Sequence, residues 1–221
     1  LSTSAIRRRG GSDDRRSGSH TANEALFHGW LDAVYPDAVV VSEAQRLAAR
    51  LARIPAGLLA TCKERLPAPS VDAATVAMGT LLPRKPRPPS RRLVRIAVDS
   101  DAGVGVVELS DERRSNTISR ELGEDVTLAA TALRRRGGLR AFALQGAGTH
   151  FSVGVNPYNY CSDVSVPLAA SAYSCEALLD GFVQLHALQI PIVCAVHGKL
   201  IGAALAASLN ADYIISHADA T

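Results

Sequence analysis

The pattern of apolar and polar residues changes near residue 93. Beyond that point, short runs rich in Val, Ile and Leu alternate with longer stretches in which apolar residues recur every three or four positions. The first pattern is typical of buried strands and the second of amphipathic helices. We predict strands at 93–98, 104–109, 139–146, 191–198 and 212–216, and helices at 118–136, 171–188 and 201–209. This alternation predicts an α/β fold with buried, mainly parallel strands.

The residues before 93 fall into three segments of different composition. Residues 1–20 are polar and rich in Arg, Ser and Gly. They have too little apolar surface to offset the entropy of ordering, so we predict a disordered tail. Residues 67–92 are punctuated by Pro and Arg, which is typical of a linker. Residues 21–66, between them, are amphipathic, and residues 93–221 form the α/β core.

The amphipathic segment is predicted to be helical. Its apolar residues recur at three- and four-residue steps after Ser42, whose side chain suits an N-cap. A second helix is predicted over 56–65, because Pro55 interrupts the first. The apolar stripe of the first helix comprises Ala44, Leu47, Ala48, Leu51 and Ile54.

Composition and charge exclude several classes of function. The chain is 47% hydrophobic, which is typical of globular proteins, and its formal net charge of +3 is too small to indicate nucleic-acid binding. No apolar run approaches the roughly 20 residues that span a bilayer, so we expect no membrane insertion. The four Cys and six His lack the spacings of a disulfide framework or a zinc site. We therefore predict no metal and a cytoplasmic location, although the Arg- and Ser-rich opening leaves organellar targeting open.

Two glycine-rich loops carry the chemical signal. The first glycine loop, residues 146–158, follows a predicted strand, and the second, residues 197–207, joins a strand to a helix. Glycine lets a ligand approach the backbone closely, and a helix N-terminus offers unpaired N–H donors. Two such turns side by side would form an oxyanion hole. The alternative is that both are tight turns needed only for packing.

Three segments of the α/β core resemble the crotonase (enoyl-CoA hydratase/isomerase) superfamily. The first, LVRIAVDSDAGVGVVELSDERRSNTIS, ends at Asn116–Ser119 in a segment similar to the family's Asn-Ala-[Leu/Met]-[Ser/Thr]. The other two, LRAFALQGAGTHFSVGVN and IPIVCAVHGKLIGAALAASLNADYIIS, resemble the family's glycine-rich motifs. The matches follow the family's order across residues 91–221. The resemblance implies a crotonase-like (ClpP/crotonase) spiral of ββα units, incomplete at the C-terminus of this sequence.

The resemblance also implies an acyl-thioester substrate, carried by coenzyme A or an acyl carrier protein, with no separate cofactor. In this family two backbone N–H groups bind the thioester oxygen and stabilise an enolate. At the matching positions these donors belong to Val155 and Ala203. Other positions expected beside the substrate are Gly154, Asn156, His150, Gly198 and Gly202. The implied reaction is dehydration, isomerisation or decarboxylation.

The two carboxylates of family hydratases are missing from this sequence. Ala206 occupies one Glu position, and the other would follow Thr221. Hydration needs one group to activate water and another to deliver a proton, so two-Glu hydration is not supported. Asp163 and Tyr158 are alternative acid/base candidates, and polar residues of a surface loop are the competing interpretation. His197 is expected to form a structural hydrogen bond to the backbone.

The N-terminal segment resembles the end of a crotonase. The match begins at ANEALFHGWLDAVYP, and Lys63 falls where many members place a lysine near the CoA phosphates. Two explanations stay open. The sequence is a window from a tandem multidomain protein, or its N-terminal segment packs onto its own core as in a circular permutant. The start at Leu1 and the end at Thr221 favour the window.

The wider resemblance bears on partners and activity. The glycine loops are similar to those of crotonases that act with polyketide synthases in β-branching, and the family implies a homo-oligomer, a trimer or hexamer. Three interpretations remain open: an acyl-thioester lyase or isomerase, a degenerate thioester-binding or structural module, or a fragment that is inactive without flanking segments.

Overall fold

One sheet organises the part of the chain that the structure describes. The computed structural model describes residues 20–55, 92–155 and 180–221. Its elements are α1 (Ala22–Phe27), β1 (Ala33–Tyr35), α2 (Asp37–Leu51), β2 (Val94–Asp99), β3 (Val104–Leu109), α3 (Arg120–Arg135), β4 (Ala141–Gly146), α4 (180–186), β5 (Ile192–Val196), α5 (Ala203–Ser208) and β6 (Tyr213–His217). Across these residues the strand order is β1-β6-β5-β4-β3-β2.

The strands are mainly parallel, as predicted. β2 and β3 form an antiparallel hairpin, and every other neighbouring pair in the sheet is parallel. The hairpin turns where the sequence predicted, because the Asp99 carboxylate accepts the N–H groups of Asp101 and Ala102, each at 3.0 Å. Since β4 and β5 are parallel neighbours, both glycine loops leave the sheet at the same edge.

Helices cover both faces of the sheet, so β4 and β5 are buried along their whole lengths. On one face α3 packs against large side chains such as Phe142 and Leu144. On the other face α2 lays the stripe of Val40, Ala44 and Ala48 against small residues of the central strands. Burial on both faces explains why these strands read as continuous apolar runs.

The α3 helix is close to its prediction. Ser119 caps it by accepting the N–H of Leu122 at 3.2 Å, and the helix ends at Arg135, one residue short of the predicted end. The glycine signal lies just beyond, where Gly138 takes a positive φ of 87°. None of the helices in the described part of the chain is long and apolar enough to cross a bilayer.

The prediction that Ser42 caps the first long helix was wrong. Helix α2 begins at Asp37, after Pro36 at the N-cap position, and Ser42 lies within it. The Ser42 hydroxyl donates to the carbonyl oxygen of Val39 at 2.9 Å. The three consecutive valines at 39–41 disguised the first turns, because β-branched residues have low helix propensity. The predicted helix over 56–65 lies outside the described residues.

Residues 22–51 pack onto the core of the same chain. The short strand β1, which the periodicity did not predict, pairs in parallel with β6, with Ala33 opposite Ile215. Asp32 anchors the pairing at its start, where its N–H donates to the Ile214 carbonyl at 2.8 Å and its carboxylate accepts the Ile214 N–H at 2.7 Å. The N-terminal segment therefore adds a strand and a covering helix to the sheet.

Substitution of Ala48 tests this packing. Ala48 is fully buried on the face of α2 that packs against the sheet, so Ala48→Leu should lower the free energy of unfolding by about 1–3 kcal/mol through overpacking. The matched control is Ala49→Leu, because Ala49 borders an open groove of about 370 Å³ and its new side chain has room; we expect a change under about 0.5 kcal/mol. Equal effects in urea unfolding would show that α2 does not pack as described.

Candidate active site

The first glycine loop doubles back directly after β4. A Cβ on Gly146 would lie 2.6 Å from the carbonyl oxygen of Phe151, so only glycine fits this reversal. The returning chain then runs beside the second glycine loop. The N–H of Phe151 donates to the His197 carbonyl at 2.8 Å, and Ser152 and Leu200 form a parallel bridge. The structure thus brings the two predicted loops together.

The two loops are also in direct contact at Gly154. This residue has a φ of 74°, and a Cβ on it would overlap the carbonyl oxygen of Ile201 and lie 3.4 Å from the backbone nitrogen of Ala203. Contact between the two backbones at this point requires a residue with no side chain and a left-handed conformation. The N–H of the next residue, Val155, is therefore held close to the start of α5.

Two backbone donors are unpaired at this contact. Neither Val155 nor Ala203 donates its N–H to any acceptor among the described residues, whereas the N–H of Gly154 donates to the Ser152 hydroxyl at 3.1 Å. Both donor residues are half-buried, and together with Leu200 they pack against the apolar core. Two adjacent N–H donors in such a place can bind a carbonyl oxygen that carries developing negative charge.

Asn116 supports the first glycine loop from behind. Its side chain is fully buried, and its Nδ2 donates to the carbonyl oxygens of Ala147 and His150, both at 2.9 Å. The backbone carbonyl oxygen of Asn116 accepts a hydrogen bond from the Ser152 hydroxyl at 2.6 Å. Asn116 has a φ of 53°, a conformation that Asn adopts more readily than most residues. Asn116 begins the segment that resembles the family's Asn-Ala-[Leu/Met]-[Ser/Thr] motif, but the sequence alone indicated no role for its side chain.

The histidines of the two loops differ in their surroundings. His197 is only 8% exposed, and its Nε2 lies 2.9 Å from the carbonyl oxygen of Gly148, which is the structural bond to backbone that the sequence predicted. His150 is half-buried, and its Nδ1 has no partner among the described residues. Its ring lies next to Gly198, where an added Cβ would come within 2.5 Å of that nitrogen. His150 and Gly198 therefore lie at the junction of the loops.

Other predicted positions are distributed as follows. Gly202 is exposed and precedes α5 with a φ of 54°, and Ala206 is exposed one turn further along that helix. Asn156, Tyr158, Asp163 and Lys63 lie outside the described residues. Cys194 is fully buried in β5, and that burial raises the pKa of its thiol far above the ordinary value, so it stays protonated and is no nucleophile. In the described ranges, no group of three or more His, Cys, Asp or Glu side chains could hold a metal ion.

Substitution of Gly154 tests the contact between the loops. Gly154→Ala should cost roughly 1–2 kcal/mol for the left-handed backbone and roughly 1–3 kcal/mol more for the overlap with Ile201. Gly29→Ala is the matched control, since Gly29 has the same φ of 74° and nothing within 4 Å of an added Cβ. If thermal unfolding shows the same loss for both variants, the two backbones are not in contact.

Comparison with known sequences identifies a family. The sequence profile described as Enoyl-CoA hydratase/isomerase matches residues 99–221. The chain is 30% identical over 127 residues to proteins named probable enoyl-CoA hydratase echA6 in Mycobacterium bovis and Mycobacterium tuberculosis. Each alignment covers 57% of this chain and 48% of the relative, so the chain spans about half the length of the curated relatives it matches.

Solved structures share the fold. An enoyl-CoA hydratase/isomerase from Xanthobacter autotrophicus Py2 superposes with a TM-score of 0.53 at 21% identity, over 59% of this chain and 48% of that one. An enoyl-CoA hydratase from Polaromonas sp. JS666 gives 0.52 at 20% identity, over 57% and 49%. The predicted crotonase-like α/β fold is confirmed. With the profile match, these results show that the chain belongs to the enoyl-CoA hydratase/isomerase family of the crotonase superfamily.

Proposed function

We propose that this protein acts on an acyl thioester and stabilises the enolate formed from it, with the backbone N–H groups of Val155 and Ala203 as the oxyanion hole. The observation that carries the proposal is that these two N–H groups, beside the contact of Gly154 with Ile201, have no acceptor among residues 20–55, 92–155 and 180–221. Backbone donors do not depend on side-chain identity. The Ala residues at 203 and 204, where many members of the family have Gly, therefore leave the donors in place.

The chemistry explains what the two donors contribute to the reaction. When a thioester becomes an enolate, the negative charge gathers on the thioester oxygen, and donors aimed at that oxygen stabilise the transition state more than the ground state. Loss of one such donor typically costs about 2.7–4 kcal/mol. Val155 and Ala203 pack partly against the apolar core, and a bound acyl group that excludes water from their open side would strengthen both hydrogen bonds.

The reaction must run without a carboxylate at position 206. Ala206 is exposed on α5 one turn beyond the Ala203 donor and can neither accept nor deliver a proton. Decarboxylation fits this absence well: the electrons of the broken C–C bond form the enolate, CO₂ leaves without the help of a base, and a proton from water then adds to the α-carbon. Dehydration and isomerisation need acid/base groups, for which Asp163 and Tyr158 are the proposed candidates. Two-Glu hydration is the least compatible reaction.

The substrate carrier and the partners extend the proposal. The relatives' names refer to enoyl-CoA, which supports an acyl-CoA substrate here. An acyl carrier protein, with a role in polyketide β-branching, is the alternative carrier. Within this proposal His150, Asn156, Gly198 and Gly202 line the substrate, Lys63 binds the CoA phosphates, and the protein forms a trimer or hexamer. No separate cofactor takes part.

A non-catalytic function is the second candidate. The observation that favours it is again Ala206, because the structure keeps the paired donors while the sequence lacks a hydratase carboxylate at that position. Such a module would bind a thioester without turning it over. Binding and turnover therefore need separate tests.

Amide hydrogen exchange tests the binding site. In the full-length protein, saturating butyryl-CoA should slow exchange at Val155 and Ala203, since both N–H groups would bind the thioester oxygen. Free CoA is the matched control, because it lacks the acyl carbonyl and should leave these two amides unprotected. A butyryl carrier protein in place of butyryl-CoA would distinguish the carriers. Absence of protection with either thioester would refute the proposed site.

Substitution of the acid/base candidates tests turnover. Asp163→Ala and Tyr158→Phe should each lower kcat by roughly 100- to 10,000-fold, as removal of a general acid or base does. Asp101→Ala is the control, because Asp101 is exposed in the β2–β3 turn at the opposite edge of the sheet and should leave kcat unchanged. Unchanged rates in both candidate variants would remove them from the mechanism. A wild-type protein that protects its amides but shows no turnover would support the non-catalytic module.

A further inference from the structure

We propose that His197 is a positioning residue: its side chain holds the turn at 147–150, and thereby sets the Val155 donor relative to Ala203. This inference rests on the proposed oxyanion hole. His197 follows the last residue of β5 and is 8% exposed. Its Nε2 lies 2.9 Å from the Gly148 carbonyl oxygen. Since a carbonyl can only accept, Nε2 carries a hydrogen and is the donor of this bond.

His197 holds the first glycine loop at two points. The side chain binds the carbonyl of Gly148, and the His197 carbonyl accepts the N–H of Phe151 at 2.8 Å. The turn between these points is also bound by Asn116 through the carbonyls of Ala147 and His150. Two buried side chains therefore fix three carbonyls of a four-residue turn. Only three residues separate this turn from Gly154.

The backbones of the two loops are in direct contact, so a displacement of the turn must be transmitted along the loops. A Cβ on Gly198 would overlap the carbonyl oxygen of Thr149, so the turn rests directly on the backbone of the second loop. Further along, Ser152 and Leu200 form a bridge, and Gly154 touches Ile201. A shift of the turn along the second loop would therefore move Val155 relative to Ala203. Misplacement by about 1 Å is enough to cost about 100-fold in catalysis.

The same geometry argues against a general-base role for His197. Its Nε2 is already bound to Gly148, and its Nδ1 is buried with no partner among the described residues. A buried polar atom without a partner contributes nothing that holds the loop in place. Nε2 is therefore the atom of the side chain that positions the loop, because it donates to Gly148 at a fixed distance from the His197 backbone.

Two amide substitutions, which both keep a side-chain N–H donor, test whether that donor must reach the Gly148 carbonyl. In His197→Gln the side-chain amide nitrogen reaches about as far as the imidazole Nε2, so it can still donate to Gly148. In His197→Asn the amide nitrogen corresponds to Nδ1 and stops short. We expect the Asn variant to weaken butyryl-CoA binding by about tenfold, the value of one lost hydrogen bond, and the Gln variant to bind like wild type. Free CoA should bind all three proteins equally.

A spectroscopic readout distinguishes positioning from a general effect on folding. The carbonyl stretch of butyryl-CoA labelled with ¹³C at the thioester carbon should shift to lower frequency on binding wild-type protein, because both donors polarise it. His197→Gln should keep that shift, and His197→Asn should lose most of it. If wild type shows the shift and both variants match it, the inference is wrong while the oxyanion hole stands. If wild type shows no shift, the proposed function fails and the inference fails with it.

A measurement on the unmodified protein covers the case in which His197→Asn does not fold. Long-range ¹H–¹⁵N correlation spectra of the ring report which nitrogen of His197 carries the hydrogen. We expect the Nε2–H form, with slow exchange of that ring hydrogen, and a change in its chemical shift with butyryl-CoA that free CoA does not produce. An Nδ1–H form would overturn the inference.

Discussion

The contact between Gly154 and the Ile201–Ala203 backbone is the constraint on which the candidate site depends. No Cβ fits there, so the two segments meet through backbone atoms alone. The nearby N–H groups of Val155 and Ala203 have no acceptor in the part of the chain that the structure describes. A donor pair of this kind is rigid because each nitrogen belongs to a chain already fixed by neighbouring hydrogen bonds. Side chains around it can vary without removing the donors, because the donors belong to the backbone.

The sheet explains why the two loops meet at all. β4 and β5 are parallel neighbours, with Leu144 opposite Cys194, so their carboxyl ends lie side by side and both loops start from the same edge. Ligand sites in parallel sheets form at this edge because loops from different strands converge there. The strands themselves have no freedom to separate, since large side chains fill one face and α2 covers the other with small ones. The position of the donors is therefore fixed by packing several residues away from them.

Much of this arrangement could be predicted from the sequence, and the exceptions have physical reasons. The core strands and α3 lie within one or two residues of their predicted bounds, because burial on both faces and helical periodicity leave strong patterns. β1 is only three residues long, and α2 has three valines in its first turns. Local propensity therefore gave no signal for the strand and placed the start of the helix too late. The supporting bonds of Asn116 and His197 join residues 31–49 positions apart, and no local pattern indicates such partners. The glycines of the loops could be recognised in the sequence, but the side chains that hold these loops in place could not.

The N-terminal segment acts on the site through the sheet and not through chemistry. α2 contributes Ala44 and Ala48 to the face of β5 that carries Val193 and Ala195, while the opposite face of β5 buries Cys194 against the α3 side. The second glycine loop emerges from the end of this strand, so its direction is set by packing that residues 37–51 complete. Without α2, the face of β4 and β5 that carries Ala141, Val193 and Ala195 would lose the apolar cover that this helix provides. Parallel strands are stable when both faces are covered, so the strand that leads to the Ala203 donor depends on α2 for the burial of one of its faces.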